Sequence, residues 1–267
     1  MSESASLIPT APGPETLPPV ALVTGAAKRL GRAMALELAA RGFDVAIHHN
    51  HSDQDAQHTA QEIREMGRRA VTLRADLSSE AEAQGLLPAA EDALGPVGVL
   101  VNNASIFELD MVETATRDTW DAHMETNLRA PFVLSQALAE GLPEESTGLI
   151  VNLLDQRVWN LTPYFLTYTL TKAGLWTLTQ TLALALAPRI RVMGIGPGPA
   201  LPAPQQTMEQ FARQAASMPL GHGTTPDEVA RALRFILETP SMTGQMIALD
   251  GGQHLGWAQP GQVPLAE

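Results

Sequence analysis

The chain holds only two tyrosines, Tyr164 and Tyr168. Tyr168 has a lysine, Lys172, four residues on, within a stretch that predicts a helix. That spacing puts both side chains on one helix face, a turn apart. A free phenol titrates near pH ~10 and holds its proton too tightly to cycle near neutrality. A neighbouring ammonium favours phenolate and lowers that value. The pair therefore reads as a proton donor of the kind that must accompany hydride transfer to a substrate. Tyr164 has no lysine four residues on, so the pairing is unambiguous.

The elements that would position this pair alternate along the chain. Val20 to Val23 reads as a strand ending in Thr24-Gly25, followed by a helix over 29–41 closed by Gly42. A strand over 43–47 precedes a helix from Ser52 and Asp53 to Met66, and a strand over 70–73 comes next. Ser79 with Glu82 has the capping-box form and opens a helix to about residue 93. Strands over 97–101, 149–153 and 190–195 are separated by long helices over 116–140 and 164–187. The Pro-, Gly- and Gln-rich stretch 197–223 reads as an insert, with a substrate lid at about 199–223. Thr225-Pro226-Asp227-Glu228 is a helix start, and 245–249 is the last strand. Such alternation predicts an α/β, doubly wound (Rossmann) fold: a parallel seven-stranded sheet with helices on both faces, in a single domain over 19–257. Residues 1–18 read as a flexible leader and 258–267 as a C-terminal tail.

Composition narrows the functions. The net charge of −12 argues against nucleic acid as a partner, because phosphate contacts need a basic surface. There is no cysteine, hence no disulfide or thiolate chemistry. The first residues lack the basic and apolar regions of a signal peptide, and no apolar run is long enough to span a membrane. A soluble, cytoplasmic protein is expected. His48, His49 and His51 invite a metal, but no cysteine or well-spaced acid completes a site. They read instead as the solvent-facing edge of a ligand site, with no metal.

Between the first strand and helix lies Thr24-Gly25-Ala26-Ala27-Lys28-Arg29-Leu30-Gly31. Gly25 allows a tight turn, Gly31 a close helix, and the helix N-terminus presents free N–H groups and a positive dipole end to a pyrophosphate. An NAD enzyme usually carries an acid at the end of its second strand for the ribose hydroxyls. Here no acid comes before Asp53, whereas Lys28, Arg29, His51 and Ser52 would suit a 2′-phosphate. NADPH is the expected cofactor.

With this turn, the chain resembles the short-chain dehydrogenase/reductase family over nearly all of 19–257. Arg29 stands where that family usually has a middle glycine. In this it resembles the pteridine reductases and bacterial dihydropteridine-type reductases. The resemblance implies that Arg29 reaches over the pyrophosphate toward the substrate, beside Leu30. It implies that Asp76, with Leu77, meets the adenine. It further implies that Asn102-Asn103-Ala104-Ser105 borders the cofactor, as do Pro197-Gly198 and Tyr168 with Lys172, whose amine would also bond the nicotinamide ribose. Asn127 matches the family's helix asparagine that holds a water for the proton relay. Phe107 matches a phenylalanine that stacks on a pterin, Ser105 adjoining it. The other reading of Phe107, a core aromatic, stands equally.

Family members that reduce ketones carry a serine 13 residues before the tyrosine; here that position is Asp155. An ionised carboxylate only accepts hydrogen bonds and would repel a developing alkoxide. It suits a substrate with N–H groups, or a proton relay to a ring nitrogen. The pteridine reductases have this aspartate too. Asp155, Tyr168, Lys172 and Asn127 are thus the candidate catalytic set, with Arg29, Ser105, Phe107, Asp155 and Tyr168 facing a small-molecule, pterin-like substrate. A reductase of a sugar or 3-oxoacyl carbonyl and a non-catalytic dinucleotide sensor are the alternatives. The nearly all-round apolar stretch 175–187 needs cover on both sides, and family tetramers imply a homotetramer. His254 and Trp257 could line the pocket or a subunit contact.

Overall fold

The computed structural model describes residues 17–202 and 206–256. The leader up to residue 16, the C-terminal tail and Trp257 lie outside the described residues. Seven strands form one parallel sheet: β1 (Val20–Val23), β2 (Asp44–His49), β3 (Ala70–Arg74), β4 (Val99–Asn102), β5 (Gly148–Leu153), β6 (Ile190–Pro197) and β7 (Met246–Leu249). Their order is β3-β2-β1-β4-β5-β6-β7. The order reverses between β1 and β4, and crevices at such a switch point are where open α/β sheets bind ligands.

Strand alternation divides the core. Ala21 and Val23 face one apolar layer, which packs under α1 (Arg29–Ala40), α2 (Asp53–Glu65) and α8 (Pro226–Glu238). Val20 and Leu22 face the other, under α3 (Glu80–Leu94), α5 (Ala130–Gly141) and α6 (Leu166–Leu186). Strands buried on both faces read as continuous apolar runs, which is why β1 and β5 stood out in the sequence.

Four local features depart from the sequence reading. The helix expected over 116–140 is α4 (Arg117–Met124) and α5, joined by a π-helical turn at Glu125–Arg129 that contains Asn127. The helix expected from Tyr164 begins at Leu166, because Phe165 adopts a left-handed φ of 58°. The insert contains a helix, α7 (Met208–Ala216), opened by a Thr207–Gln210 capping box. Ser79 makes no side-chain cap; Glu82 instead accepts from the Asp76 N–H at 2.7 Å. Thr225 caps α8 as expected, and Glu228 completes a capping box with it.

Candidate active site

A cleft of about 530 Å³ runs across the C-terminal ends of β1, β4, β5 and β6. Gly25, Lys28, Arg29, Leu30 and Gly31 form one end, and Asp155, Tyr168 and Lys172 the middle. Asp76, Leu77, Asn103, Ala104, Ser105, Phe107, Pro197 and Gly198 also line it. His51 and Ser52 lie beyond this lining, with His48 and Asn50 the cleft-wall residues nearest to them in the sequence. Asn127 is buried behind it.

The glycine turn is held from three directions. Gly25 has φ +62°, and a Cβ on Gly31 would collide with the Gly25 carbonyl oxygen. Asn103 Nδ2 donates to the carbonyls of Thr24 (2.8 Å) and Gly25 (3.1 Å), while Thr24 Oγ1 accepts from the Asn103 and Ala104 N–H groups. From the far side, His48 Nδ1 accepts from the Gly25 N–H at 3.1 Å and Nε2 faces the Ala75 carbonyl at 3.1 Å. These partners fix the tautomer with the proton on Nε2. Burial pushes His48 down to about 4, so the ring is neutral. His48 is therefore a buried support, and His49 is buried beside it, rather than the solvent-facing edge the sequence suggested; of the three, His51 is exposed. No cluster of three or more metal-ligating side chains occurs among the described residues.

Arg29 adopts a left-handed φ of 57°, and its NH1 donates to the Pro202 carbonyl at 3.1 Å. No side chain caps α1, and its N-cap Lys28 and first residues Arg29, Leu30 and Gly31 line this end of the cleft. Asp76 accepts from both the N–H and hydroxyl of Ser78, bonds that hold its carboxyl below the usual range.

Behind the middle of the cleft, asparagines stitch the sheet to α6. Asn102 Nδ2 donates to Asn152 Oδ1, whose own Nδ2 donates to Thr179 Oγ1, both at 2.9 Å. Asn127 in the π-turn accepts from the Ile106 N–H (2.8 Å) and donates to the Ile106 carbonyl (2.9 Å) and to Thr171 (3.3 Å). Its carboxamide thus fixes the loop that carries Ser105 and Phe107.

Tyr168 donates to Asp155 Oδ2 at 3.0 Å. Burial first, and then the Asp155 charge, push the phenol well above its ordinary value, with Arg157 opposing. The chain's own groups thus hold the phenol protonated, the reverse of the lowering expected from a neighbouring ammonium. Lys172 Nζ donates to the Leu153 carbonyl at 2.7 Å, and burial draws it down to about 8. Asp155 also accepts from the Arg157 N–H (2.8 Å) and from its guanidinium (2.9 Å). Phe107 stands edge-on to Tyr168, centroids 4.7 Å apart, and stacks on Phe165 at 4.3 Å. Phe107 lines the cleft and Phe165 backs it.

Sequence reasoning missed His48, Arg157 and Phe165. Arg157 follows Asp155 by two residues, and only the 3₁₀ turn at Gln156–Val158 folds its side chain back onto the carboxylate. Phe165 carries no sequence signal for a left-handed backbone. His254 does not line the cleft; it pairs with Asp250 at 2.8 Å and packs edge-on against Trp159.

The fold and this site define a nicotinamide-type oxidoreductase scaffold. A short chain dehydrogenase model matches residues 19–213. The chain belongs to the short-chain dehydrogenase/reductase family. It is 45% identical to the structure of FolM alternative dihydrofolate reductase 1 from Brucella canis complexed with NADP, covering 94% of this chain and all of that one, with a TM-score of 0.89. The corresponding Brucella suis protein, also with NADP, is 47% identical over 90% of this chain and 96% of its own, TM-score 0.86. A 3-oxoacyl-[acyl-carrier-protein] reductase from Synechocystis is 31% identical, over 87% of this chain and 96% of its own.

Proposed function

We propose that the chain is an NADPH-dependent reductase of a pterin-like, dihydropteridine-type ring or a similar flat N-heterocycle, with Tyr168 as proton donor. The observation that carries this reading is the bond from Tyr168 to Asp155, a carboxylate in the place of a hydroxyl donor. The FolM structures, named as alternative dihydrofolate reductases and solved with NADP, support it.

When bound, NADPH supplies the hydride. The glycine turn and first amides of α1 suit its pyrophosphate, because no side chain caps that helix end and Gly31 leaves no room for a Cβ. Lys28, Arg29, His51 and Ser52 are our candidates for the 2′-phosphate, and Lys172 for the nicotinamide ribose. Leu30, Asp76, Leu77, Asn103, Ala104, Ser105, Pro197 and Gly198 would border the rest. A substrate ring would stack against Phe107, with Ser105 and Arg29 at its rim. Tyr168, kept protonated, gives its proton to the ring nitrogen that gains electrons at its neighbouring carbon. Asp155 accepts from ring N–H groups and aims the phenol. Asn127 acts by holding the Ile106 backbone.

A sugar or 3-oxoacyl carbonyl is the second reading, favoured by the Synechocystis relative. Purified protein should oxidise NADPH with dihydrobiopterin or dihydrofolate. Turnover of a ketone with none of a pterin panel would select the second reading. Tighter binding of NADH than NADPH in a fluorescence titration would overturn the cofactor assignment. We further propose a cytoplasmic homotetramer: Leu184 of α6 is 83% exposed in the single chain, and α5 and α6 flank an apolar groove. No described helix is long and apolar enough to cross a membrane. A monomer mass in sedimentation would refute the tetramer.

A further inference from the structure

Asp155 raises a difficulty that Tyr168 alone cannot resolve. It is a carboxylate only 9% exposed, bonded to the group that must move a proton. Alone, such a charge is costly to bury, and nothing would fix its aim against the phenol.

Arg157 answers it. Its backbone N–H and its guanidinium engage the two carboxylate oxygens separately, at 2.8 Å on Oδ1 and 2.9 Å on Oδ2. The second is the oxygen that accepts from Tyr168. The guanidinium side chain is 18% exposed, so solvent screens the pair weakly. The same group lies 5.3 Å from the Phe107 centroid and 5.2 Å from that of Phe165, within cation–π reach of both rings. One cation therefore touches the proton-handling pair and the aromatic wall at once.

We propose that Arg157 is a positioning residue for the reduction: it keeps Asp155 an oriented carboxylate against Tyr168 and fixes that pair relative to the Phe107–Phe165 wall. This rests on the reductase reading of the cleft. The charged and titratable groups facing Asp155, among the described residues, are Arg157 from its own turn and Tyr168 and Lys172 from α6. Lys172 is committed to the Leu153 carbonyl, so Arg157 is the counter-charge in direct contact. Arginine suits the task because its planar fork can bond a carboxylate while lying along aromatic rings; a lysine ammonium offers only a point charge.

The test is a double-mutant cycle in the full-length protein, using R157M, D155N and the double variant, with NADPH and dihydrobiopterin. R157M should lower kcat about a hundredfold, the scale of a misplaced catalytic group, with NADPH affinity unchanged. In the D155N background the same substitution should cost no more than about twofold, because the partner it serves is gone. R157K should restore only part of kcat, because a point charge cannot bond the carboxylate and lie along the rings at once. Equal losses from R157M in both backgrounds, or full kcat in R157K, would overturn the proposal while leaving the reductase reading intact. Wild-type protein that oxidises NADPH with no pterin or ketone would overturn that reading, and this inference with it. Should R157M fail to fold, R157K decides: full kcat with an unchanged KM would overturn the proposal.

Discussion

His48 offers the sharpest link between burial and behaviour. It is neutral in the folded chain, with its proton affinity drawn from 6.5 to about 4, chiefly by burial. An unfolded histidine binds a proton below pH 6.5, whereas the folded one resists until about pH 4. The unfolded state therefore holds more protons in that window, and stability rises with pH across it. His48's contribution is complete above pH 6.5 and is lost as pH falls toward 4. At 1.36 kcal/mol per pH unit, the loss amounts to roughly 3 kcal/mol. Protonation would also end the bond that Nδ1 accepts from the Gly25 N–H, so the phosphate-binding turn should loosen over the same range. The assay is urea unfolding at closely spaced pH values for wild type and H48Q. Carboxylates contribute to both curves, so the difference between them isolates His48. Wild type should lose about 3 kcal/mol more than H48Q between pH 7 and 4, so that at pH 4 H48Q is as stable as wild type or more so. Above pH 7, H48Q should be the less stable by about 1–3 kcal/mol, for one imperfectly replaced buried hydrogen-bond partner. Parallel curves for the two proteins would refute the reasoning.

Three further outcomes are expected. Y168F should reduce turnover at least a hundredfold with little change in NADPH affinity, measured by steady-state kinetics and fluorescence titration. G31A should weaken NADPH binding at least about tenfold, since the added methyl must displace the Gly25 carbonyl; calorimetric titration reads it. R29V should be less stable than R29G by about 1–2 kcal/mol, because a β-branched residue fits poorly at φ 57°, and thermal melting decides it.

The sheet and the order of its elements were legible because the strands, most of them buried, leave apolar runs between helical patterns. Tyr168, Lys172, Asp155 and the glycine turn were legible from residue type and spacing. What escaped depended on contacts distant in sequence or on unusual backbone. His48 looked like one of three exposed histidines, yet its role comes from Gly25 and Ala75, 23 and 27 residues away. The left-handed Phe165 is stabilised by the Asp110 carbonyl, which accepts its N–H at 2.8 Å from across the loop. The π-turn has no compositional mark, although it is what lets Asn127 reach both backbone groups of Ile106. The α7 helix was hidden by its Gln- and Pro-rich approach; the Thr207–Gln210 box was present but unread.

The two walls of the cleft differ in how freely they can change. The Phe107–Phe165 wall is tied to buried groups. Asn127 grips Ile106, and Asp110 accepts from the Thr167 hydroxyl at 2.5 Å, which in turn meets His123 at 2.9 Å. Altering that wall disturbs the start of the helix that carries Tyr168. The other wall is built on α7, which has no buried residue yet presents Phe211 and Gln214 to the cleft. Mutations there reshape the pocket at little cost in stability. Divergence of substrate scope, in evolution or in the laboratory, therefore has an open route through α7 and a closed one through the aromatic wall.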